Sequence, residues 1–194
     1  LMPTETAREA FALFQQYDGE LSVFCNGLAI KTPEGIAKLT SRTTHFLSSE
    51  ARQNLTDGRF TVIPGIESWM SRHAHEIEKL CMFFDSIEKT TAALPGFQAI
   101  PGVEVVQGSP DNIELTAQGV DKGTALLALA DLLHIPREAT VAVGDSENDR
   151  AMLEKAGIAA VMANGMPHIQ ALADLVSTND CDHDGVAELF ERLG

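Results

Sequence analysis

The sequence predicts an α/β protein whose second half is a parallel sheet with crossover helices and whose first half is an α+β domain with an antiparallel sheet. Residues 118–194 alternate strictly between short apolar strands and helical segments, which is typical of βαβ units. Residues 1–117 contain strands that follow one another across short turns, which favours antiparallel pairing. A chain of 194 residues with 44% apolar residues can fill two small cores. We therefore expect two domains, 1–117 and 118–194.

The first half is predicted to begin with a helix over 3–14, where apolar residues from Ala7 to Phe14 recur at helical spacing. A half-buried strand is expected over 21–30, and Asn26-Gly27 within it is either a turn or a bulge. The other elements predicted for this half are one or two helices in 33–56, a strand at 60–63, a helix at 67–75, a strand at 76–84, a helix at 85–94 closed by Pro95-Gly96, and strands at 103–107 and 112–117 around a turn at 108–111.

The second half is predicted to place a group of acids at one edge of its sheet. Its predicted elements are a helix at 122–134, a strand at 140–143, a helix at 149–156, a strand at 158–162, a helix at 167–172 and a last helix from Gly185. In open parallel sheets, ligands bind beyond the carboxyl ends of the strands. Residues 144–149 follow the strand at 140–143 directly, so they are expected at such a binding edge.

The charge balance excludes several classes of partner. The chain carries 28 aspartates and glutamates against 14 lysines and arginines, which gives a formal net charge of -14. Such a surface repels phosphate backbones and anionic lipid headgroups, so we expect neither nucleic acid nor a membrane as partner. A small anionic substrate stays possible, because a few local cations and a bound metal ion can reverse the field within one pocket.

The cysteines and the hydrophobic pattern indicate the cytoplasm. Cys25, Cys81 and Cys181 are odd in number, far apart and without a Cys-x-x-Cys pair, which argues against a disulfide framework and a structural zinc site. We expect reduced thiols that serve mostly in packing. No apolar stretch is long enough for a membrane span, and the amino terminus lacks the pattern of a signal peptide.

Residues 144–149, Gly-Asp-Ser-Glu-Asn-Asp, indicate a metal site. Asp145 follows the strand immediately and Asp149 lies four residues later, so both carboxylates can face one point above the sheet edge. Oxygen ligands of this kind suit a hard ion such as Mg²⁺. The alternative is that Asn148 or Asp149 only caps the next helix. Capping leaves Asp145 unexplained, so we favour the metal site.

Lys122 is a second candidate for a functional residue. It opens a predicted helix, where a cation opposes the helix macrodipole at a cost of roughly 0.3–1 kcal/mol. Such local violations are expected at functional sites, and a phosphate-binding role would explain this one. The alternative is a solvated lysine whose stem covers apolar surface.

The motifs of the second half, taken in order, resemble those of one family. They are Gly-Val-Asp-Lys-Gly at 119–123, Ala-Val-Gly-Asp-Ser-Glu-Asn-Asp at 142–149, Val-Met-Ala-Asn-Gly at 161–165 and Asp-Gly-Val-Ala at 184–187. This series resembles the carboxyl half of a haloacid dehalogenase superfamily hydrolase, and within it the Cof-type phosphatases with a large α/β cap. The close resemblance covers residues 112–194, and residues 1–111 match more weakly as the cap. It implies a partial Rossmann-like core.

The resemblance also implies Mg²⁺-dependent phosphoryl transfer in two steps, through an aspartyl-phosphate. Lys122 matches the family's lysine that steadies the nucleophile and the phosphate. Asp145 matches the acid that binds Mg²⁺, and Asn148 and Asp149 match the companions that complete the metal site or orient it.

Two further residues are weaker candidates for binding the substrate. Asn164 lies in the loop after the next strand, and a surface turn explains it equally well. Lys79 could reach a substrate anion if the cap closes over the site, although an exposed lysine is the simpler interpretation.

The nucleophile of the family is not found in these 194 residues. Its motif reads Asp-x-Asp-Gly-Thr after an apolar strand. Asp18-Gly19 and Asp57-Gly58 lack the earlier aspartate and suit turns. Residues 182–185 spell Asp-x-Asp-Gly but lack the preceding strand and the threonine, so they are expected to cap the last helix. We therefore expect no turnover by this chain alone, together with open sheet edges that favour self-association or completion by the missing segment.

These observations favour a Mg²⁺-dependent phosphatase of small phosphorylated metabolites, present without its nucleophile segment. The alternative is a non-catalytic descendant that binds a ligand or a partner through the same surfaces, and a phosphomutase is less favoured. Sugar phosphates, nucleotides and phosphorylated cofactors all remain open as substrates.

Overall fold

The computed structural model describes residues 1–41 and 60–194 and divides the chain into two compact units. The first unit comprises Leu1–Val105 and Pro110–Gln118, and the second comprises Val106–Ser109 and Gly119–Gly194. The part of the predicted helical region 33–56 that follows residue 41, and the Asp57-Gly58 pair, lie outside the described residues.

The first unit is built on a mainly antiparallel sheet. Its elements are α1 Thr4–Phe14, β1 Gly19–Cys25, β2 Leu28–Lys31, α2 Pro33–Ser41, β3 Phe60–Val62, α3 Ile66–His73, β4 Ile77–Phe84, α4 Ile87–Gln98, β5 Val103–Val106 and β6 Asn112–Ala117. The strand order in the sheet is β3-β2-β1-β4-β6-β5. Strand β1 is antiparallel to β2 and β4, and β4 is antiparallel to β6, whereas β2 and β3 are parallel. The predicted α+β character with an antiparallel sheet is confirmed.

Asn26 and Gly27 form the two-residue turn between β1 and β2. Both have positive φ angles, 51° and 72°, and Cys25 pairs with Leu28 across the turn. Positive φ at both central positions matches the right-handed twist of hairpin strands, and Asn-Gly is the sequence that adopts it most readily. The register of β1 against β4 also shifts between Phe24 and Cys25. The expected interruption at Asn26-Gly27 is therefore a turn that joins β1 to β2. The pairing of β1 with β4 is irregular at the same end of the strand.

Helices α1 and α4 pack on the apolar face of this sheet. The Phe14 and Phe97 rings lie 4.3 Å apart, and both side chains are fully buried. The predicted end of α4 at Pro95-Gly96 is wrong, because the helix continues through Pro95 to Gln98. Burial of Phe97 against α1 outweighs the backbone hydrogen bond that Pro95 cannot donate.

The second unit contains a three-stranded parallel sheet in the order β7-β8-β9. Its elements are α5 Lys122–Leu132, β7 Val141–Gly144, α6 Arg150–Lys155, β8 Ile158–Val161, α7 Pro167–Gln170, β9 Leu175–Val176 and α8 Gly185–Leu193. The predicted parallel sheet with crossover helices is confirmed. Strand β9 was not predicted, because two residues are too few to show a period.

Both faces of this sheet are covered by helices. Leu153 of α6 and Ile169 of α7 belong to a core on one face, and Leu189 of α8 belongs to a core on the other. Helix α5 lies against α6 at Gly123, where an added Cβ would fall 2.2 Å from the Ala151 carbonyl oxygen. Helices α5 and α6 therefore approach closely at this point. Among the helices that the structure describes, none is long and apolar enough to cross a membrane.

Candidate active site

The loop after β7 folds around the carboxylate of Asp149. Asp145 is the first residue beyond the strand, and a short 3-10 turn follows at Glu147–Asp149. The Asp149 Oδ2 atom accepts hydrogen bonds from the backbone N–H groups of Asp145 at 3.0 Å and Ser146 at 3.4 Å. Asp149 therefore reaches back under the loop and fixes the backbone that carries Asp145.

Gly144 makes room for this arrangement. A Cβ atom at residue 144 would lie 2.5 Å from the Asp149 Cβ and 2.8 Å from its Oδ2. No side chain fits at those distances, so the last residue of β7 must be glycine if Asp149 is to keep its position.

Lys122 meets the same carboxylate from the first turn of α5. Its Nζ atom lies 2.5 Å from Asp149 Oδ1 and 3.3 Å from Asn148 Oδ1. The Lys122 side chain is 50% exposed, whereas that of Asp149 is 7% exposed. The structure thus brings Lys122, Asp145, Asn148 and Asp149, four of the six predicted site residues, into one region of the second unit.

The two carboxyl groups have pKa values that are shifted in opposite directions. Burial alone would raise the pKa of Asp149, but Lys122 and the N–H groups of Asp145 and Ser146 outweigh it and hold this pKa below its ordinary value. Although Asp145 is an exposed residue, its carboxyl loses part of its hydration in the loop, and this loss together with the charge of Asp149 raises its pKa. Asp149 already has a cation beside it, whereas the ionised form of Asp145 is disfavoured. A further cation would therefore stabilise the ionised carboxylate of Asp145 more than that of Asp149.

The site fits part of a magnesium coordination shell. Mg²⁺ keeps several waters and takes one or two carboxylates, and the exposed Asp145 at the end of β7 suits that role. Asp149 is less available, since both of its oxygens are engaged. In residues 1–41 and 60–194, no group of three or more His, Cys, Asp or Glu side chains could hold a metal ion. The metal roles of Asp145, Asn148 and Asp149 remain predictions.

Asn164 and Lys79 lie outside this group of four residues. Asn164 Oδ1 accepts a hydrogen bond of 3.0 Å from the N–H of Cys181, so it connects the loops that follow β8 and β9. Lys79 belongs to β4 of the first unit, where its Nζ atom lies 2.9 Å from Glu114 and 4.5 Å from the centre of the Phe24 ring. Substrate binding by either residue remains a prediction.

Asp121 and Lys155 support the site but were not predicted from the sequence. The Asp121 carboxylate caps α5 by accepting from the N–H of Thr124 at 2.6 Å. Lys155 of α6 donates to both Asp121 oxygens, at 3.0 and 2.9 Å. The Asp-x-x-Thr pattern before an apolar helix could have revealed the cap. The ion pair could not have been found, because its partners are far apart in sequence.

Acids and a lysine lie beyond the carboxyl end of β7, and in α/β proteins with an open parallel sheet ligands bind at that edge. The family model of haloacid dehalogenase-like hydrolases matches residues 1–190. The chain therefore belongs to the haloacid dehalogenase-like hydrolase family, and the predicted membership is confirmed.

Relatives and solved structures agree with this assignment. Phosphatase YwpJ of Bacillus subtilis is 39% identical over 106 residues, which cover 55% of this chain and 37% of YwpJ. Putative phosphatase YxeH of the same organism is 26% identical over 98% of this chain and 71% of its own length. A solved haloacid dehalogenase-like hydrolase from B. subtilis matches all of this chain and 72% of its own, with a TM-score of 0.81 and 26% identity. The chain thus matches little more than a third of YwpJ.

Proposed function

We propose that this chain supplies the phosphate-anchoring and magnesium-binding half of a phosphatase that acts on small phosphorylated metabolites. One observation carries the proposal: the Lys122 Nζ atom lies 2.5 Å from Asp149 Oδ1. Asp149 in turn accepts a hydrogen bond from the N–H of Asp145, the first residue beyond the carboxyl end of β7. The relatives named as phosphatases support the same reaction class.

Each residue of the group has a role in this proposal. Lys122 provides a fixed positive charge for phosphate oxygens, and Asp149 holds that amine in place. Asp145 is proposed as the chain's carboxylate ligand for Mg²⁺, with Asn148 beside it. When bound, Mg²⁺ would neutralise charge on the transferring phosphoryl group.

The attacking group is proposed to come from outside these residues. Asp182-His183-Asp184-Gly185 resembles half of the nucleophile motif, but Asp184 occupies the N-cap position of α8, with a φ of 58°, and its side chain makes no capping hydrogen bond. In the described part of the chain no strand leads directly into this segment, since the preceding strand, β9, already ends at Val176. We therefore propose that the nucleophile and the general acid belong to a further segment, and that the chain alone has no turnover.

The second candidate is a non-catalytic protein that binds a phosphorylated ligand or a partner through the same residues. In this alternative Lys122 also binds the phosphate oxygens, but no nucleophile is needed because no reaction follows. An in-frame Asp-x-Asp-Gly-Thr segment in the surrounding coding sequence would favour the enzyme. A cytoplasmic location, and the exclusion of nucleic acid and membranes as partners, rest on composition and charge and stay predictions.

Two measurements on the purified chain test the proposal. Hydrolysis of p-nitrophenyl phosphate with Mg²⁺ is expected to be absent, and turnover by material whose intact mass matches the 194 residues would sink the claim of inactivity. Binding of inorganic phosphate, followed by NMR, is expected to weaken about tenfold in Lys122→Met, which corresponds to about 1.4 kcal/mol.

Lys89→Met is the matched control for this binding experiment. Lys89 is an exposed lysine that pairs with Asp85 in the first unit. Equal phosphate binding by Lys122→Met and the control would exclude Lys122 as the anchor.

A further inference from the structure

Both neighbours of Lys122 in the chain are held against α6. The carboxylate of Asp121 accepts hydrogen bonds from the Lys155 Nζ atom at 3.0 and 2.9 Å. On the other side of Lys122, Gly123 packs so closely on α6 that an added Cβ would lie 2.2 Å from the Ala151 carbonyl oxygen. The backbone of Lys122 is therefore fixed from both directions.

One side chain of α6, that of Lys155, takes part in both contacts. Its amine binds Asp121, and its Cδ atom would lie 2.7 Å from a Cβ atom at residue 123, so the Lys155 stem fills the space that Gly123 leaves open. The side chains of Lys155 and Asp121 are 35% and 19% exposed, against 50% for Lys122. Because a partly buried ion pair is screened by salt less than an exposed one, Lys155 is a stable link between α6 and the start of α5.

Asp121 stays ionised in this position. Burial alone would raise the pKa of its carboxyl, but the hydrogen bonds from Lys155 and from the N–H groups of Thr124 and Gly123 outweigh burial and hold this pKa below its ordinary value. The same carboxylate caps α5. A negative charge at the N-terminus of a helix also offsets the cost of placing the Lys122 cation in the first turn.

The two ends of α6 contact the first turn of α5. Asp149 immediately precedes α6 and pairs with the Lys122 amine. Lys155 is the last residue of α6 and pairs with Asp121. Arg137 donates a hydrogen bond of 2.6 Å to the Lys155 carbonyl oxygen, so the end of α6 that carries Lys155 is itself fixed.

We propose that Lys155 is a positioning residue for the phosphate anchor: by holding Asp121, it keeps the Lys122 amine beside Asp149, where that amine binds phosphate. This inference rests on the proposed function and adds a residue that acts on phosphate only through Lys122. A lysine side chain has many rotamers and the ends of helices fray, so a free first turn would spread the amine over many positions. Fixing the backbone of Lys122 reduces the entropy that is lost when phosphate binds.

Binding of inorganic phosphate by variants of the purified chain, followed by NMR, tests this role. Lys155→Met and Asp121→Asn are each expected to weaken binding about threefold or more, because the charge-assisted hydrogen bonds are lost or become weaker neutral ones. Lys155→Arg keeps the ion pair and is expected to stay within about twofold of the parent. Asn caps helices as well as Asp does, so Asp121→Asn retains the helix start. Asp131→Asn is the matched control, because Asp131 is an exposed aspartate of the same helix.

Asp121→Asn separates positioning from long-range electrostatics. It removes a negative charge near the phosphate, so electrostatics alone would tighten phosphate binding, whereas loss of positioning weakens it. Tighter binding in Asp121→Asn would therefore overturn the proposal. So would a further loss of affinity when Lys155→Met is added to Lys122→Met, because a residue that acts only through Lys122 has no effect once that amine is gone.

The ¹⁵N signal of the Lys122 amine gives a readout that does not depend on phosphate. Asp149→Asn provides the reference for an amine without its charged partner. In Lys155→Met and Asp121→Asn the chemical shift of the Lys122 amine is expected to move toward that reference, and in Lys155→Arg it is expected to match the parent. Backbone amide spectra check that each variant is folded.

The outcomes separate the positioning role from the proposed function. Unchanged phosphate binding in Lys122→Met refutes the proposed function, and the signal of the Lys122 amine then decides alone whether Lys155 positions it. An amine signal that is the same in the parent, Lys155→Met and Asp121→Asn refutes the positioning role, whatever the phosphate affinities are. Failure of Lys155→Arg to restore the signal also refutes it, since the ion pair would then not be the cause.

Discussion

Asp149 organises its site through two kinds of contact made by one side chain. One oxygen holds the amine of Lys122, and the other holds the backbone of Asp145. A carboxylate with fixed donors on both oxygens stays ionised, as its lowered pKa reflects. At the scale of the residue, the position of Lys122 and the shape of the loop therefore depend on the same group.

Replacement of Gly144 by alanine is expected to disrupt this arrangement. The new Cβ would meet Asp149 at 2.5 Å, so the carboxylate must move and release Lys122. We expect a loss of about 1–3 kcal/mol in the free energy of unfolding, measured by urea titration.

Gly96→Ala is the control for this substitution. Gly96 lies inside α4, and its added Cβ would meet only Leu13, at an ordinary 3.6 Å. We expect it to stabilise the protein by about 0.4–1 kcal/mol, because alanine lowers the entropy of the unfolded chain. Equal effects of the two substitutions would contradict the steric argument.

At the level of residues, spatial proximity could be predicted from the sequence where the residues are neighbours in one motif. Asp145, Asn148 and Asp149 are close in the chain, and the structure places them together. The buried amine of Lys31 contacts Glu20 and Ser22 from a neighbouring strand, and this polar cluster was not predicted. Contacts across strands depend on register, which a single sequence does not reveal.

At the scale of elements, α8 fixes the loop that follows β9. The Glu188 carboxylate accepts hydrogen bonds from the Thr178 hydroxyl at 2.6 Å and from the N–H groups of Thr178 and Asn179. These hydrogen bonds lower the pKa of Glu188 from its ordinary 4.5 to about 2. One side chain thus ties the helix to the loop.

Acid is expected to weaken this connection. A carboxyl with a lowered folded-state pKa stabilises the fold above its unfolded value and loses that contribution as pH falls from 4.5 to about 2. Glu188→Gln cannot titrate, so its stability should fall less than that of the parent protein between pH 5 and about pH 3.

Urea midpoints measured at both pH values check this expectation. Glu191→Gln, on an exposed residue of the same helix, should retain the parent's pH dependence. An unchanged acid sensitivity in Glu188→Gln would remove the role assigned to this carboxylate.

Element prediction failed where packing overrode local signals. Helix α4 runs through Pro95 because Phe97 is buried against Phe14. Strand β9 exists because the neighbouring β8 pairs with it, although two residues show no pattern of their own. The alternation of strands and helices after Gly119 was predictable, because each element there carries a clear period.

At the scale of the whole molecule, the net charge of -14 works against the folded state. Folding brings like charges together, and their repulsion lowers stability at low ionic strength.

Added salt is therefore expected to raise the midpoint of thermal unfolding. An increase from about 0.01 M to about 0.1 M shortens the Debye length from about 30 Å to about 10 Å, which screens the repulsion. Calorimetry in NaCl and in KCl should show the same rise, since screening depends on ionic strength alone. A constant midpoint, or a rise in only one of the salts, would refute the explanation.

Under the proposed function, the close pairing of Lys122 with Asp149 would make phosphate binding an exchange of counter-ions. An entering anion does not meet a bare positive charge; it competes with a carboxylate that two backbone N–H groups hold in place. A singly charged ion gains little by replacing one negative partner with another. A dianion is attracted more strongly, so the pairing would bias the proposed phosphate site toward doubly charged groups and against singly charged ions such as chloride.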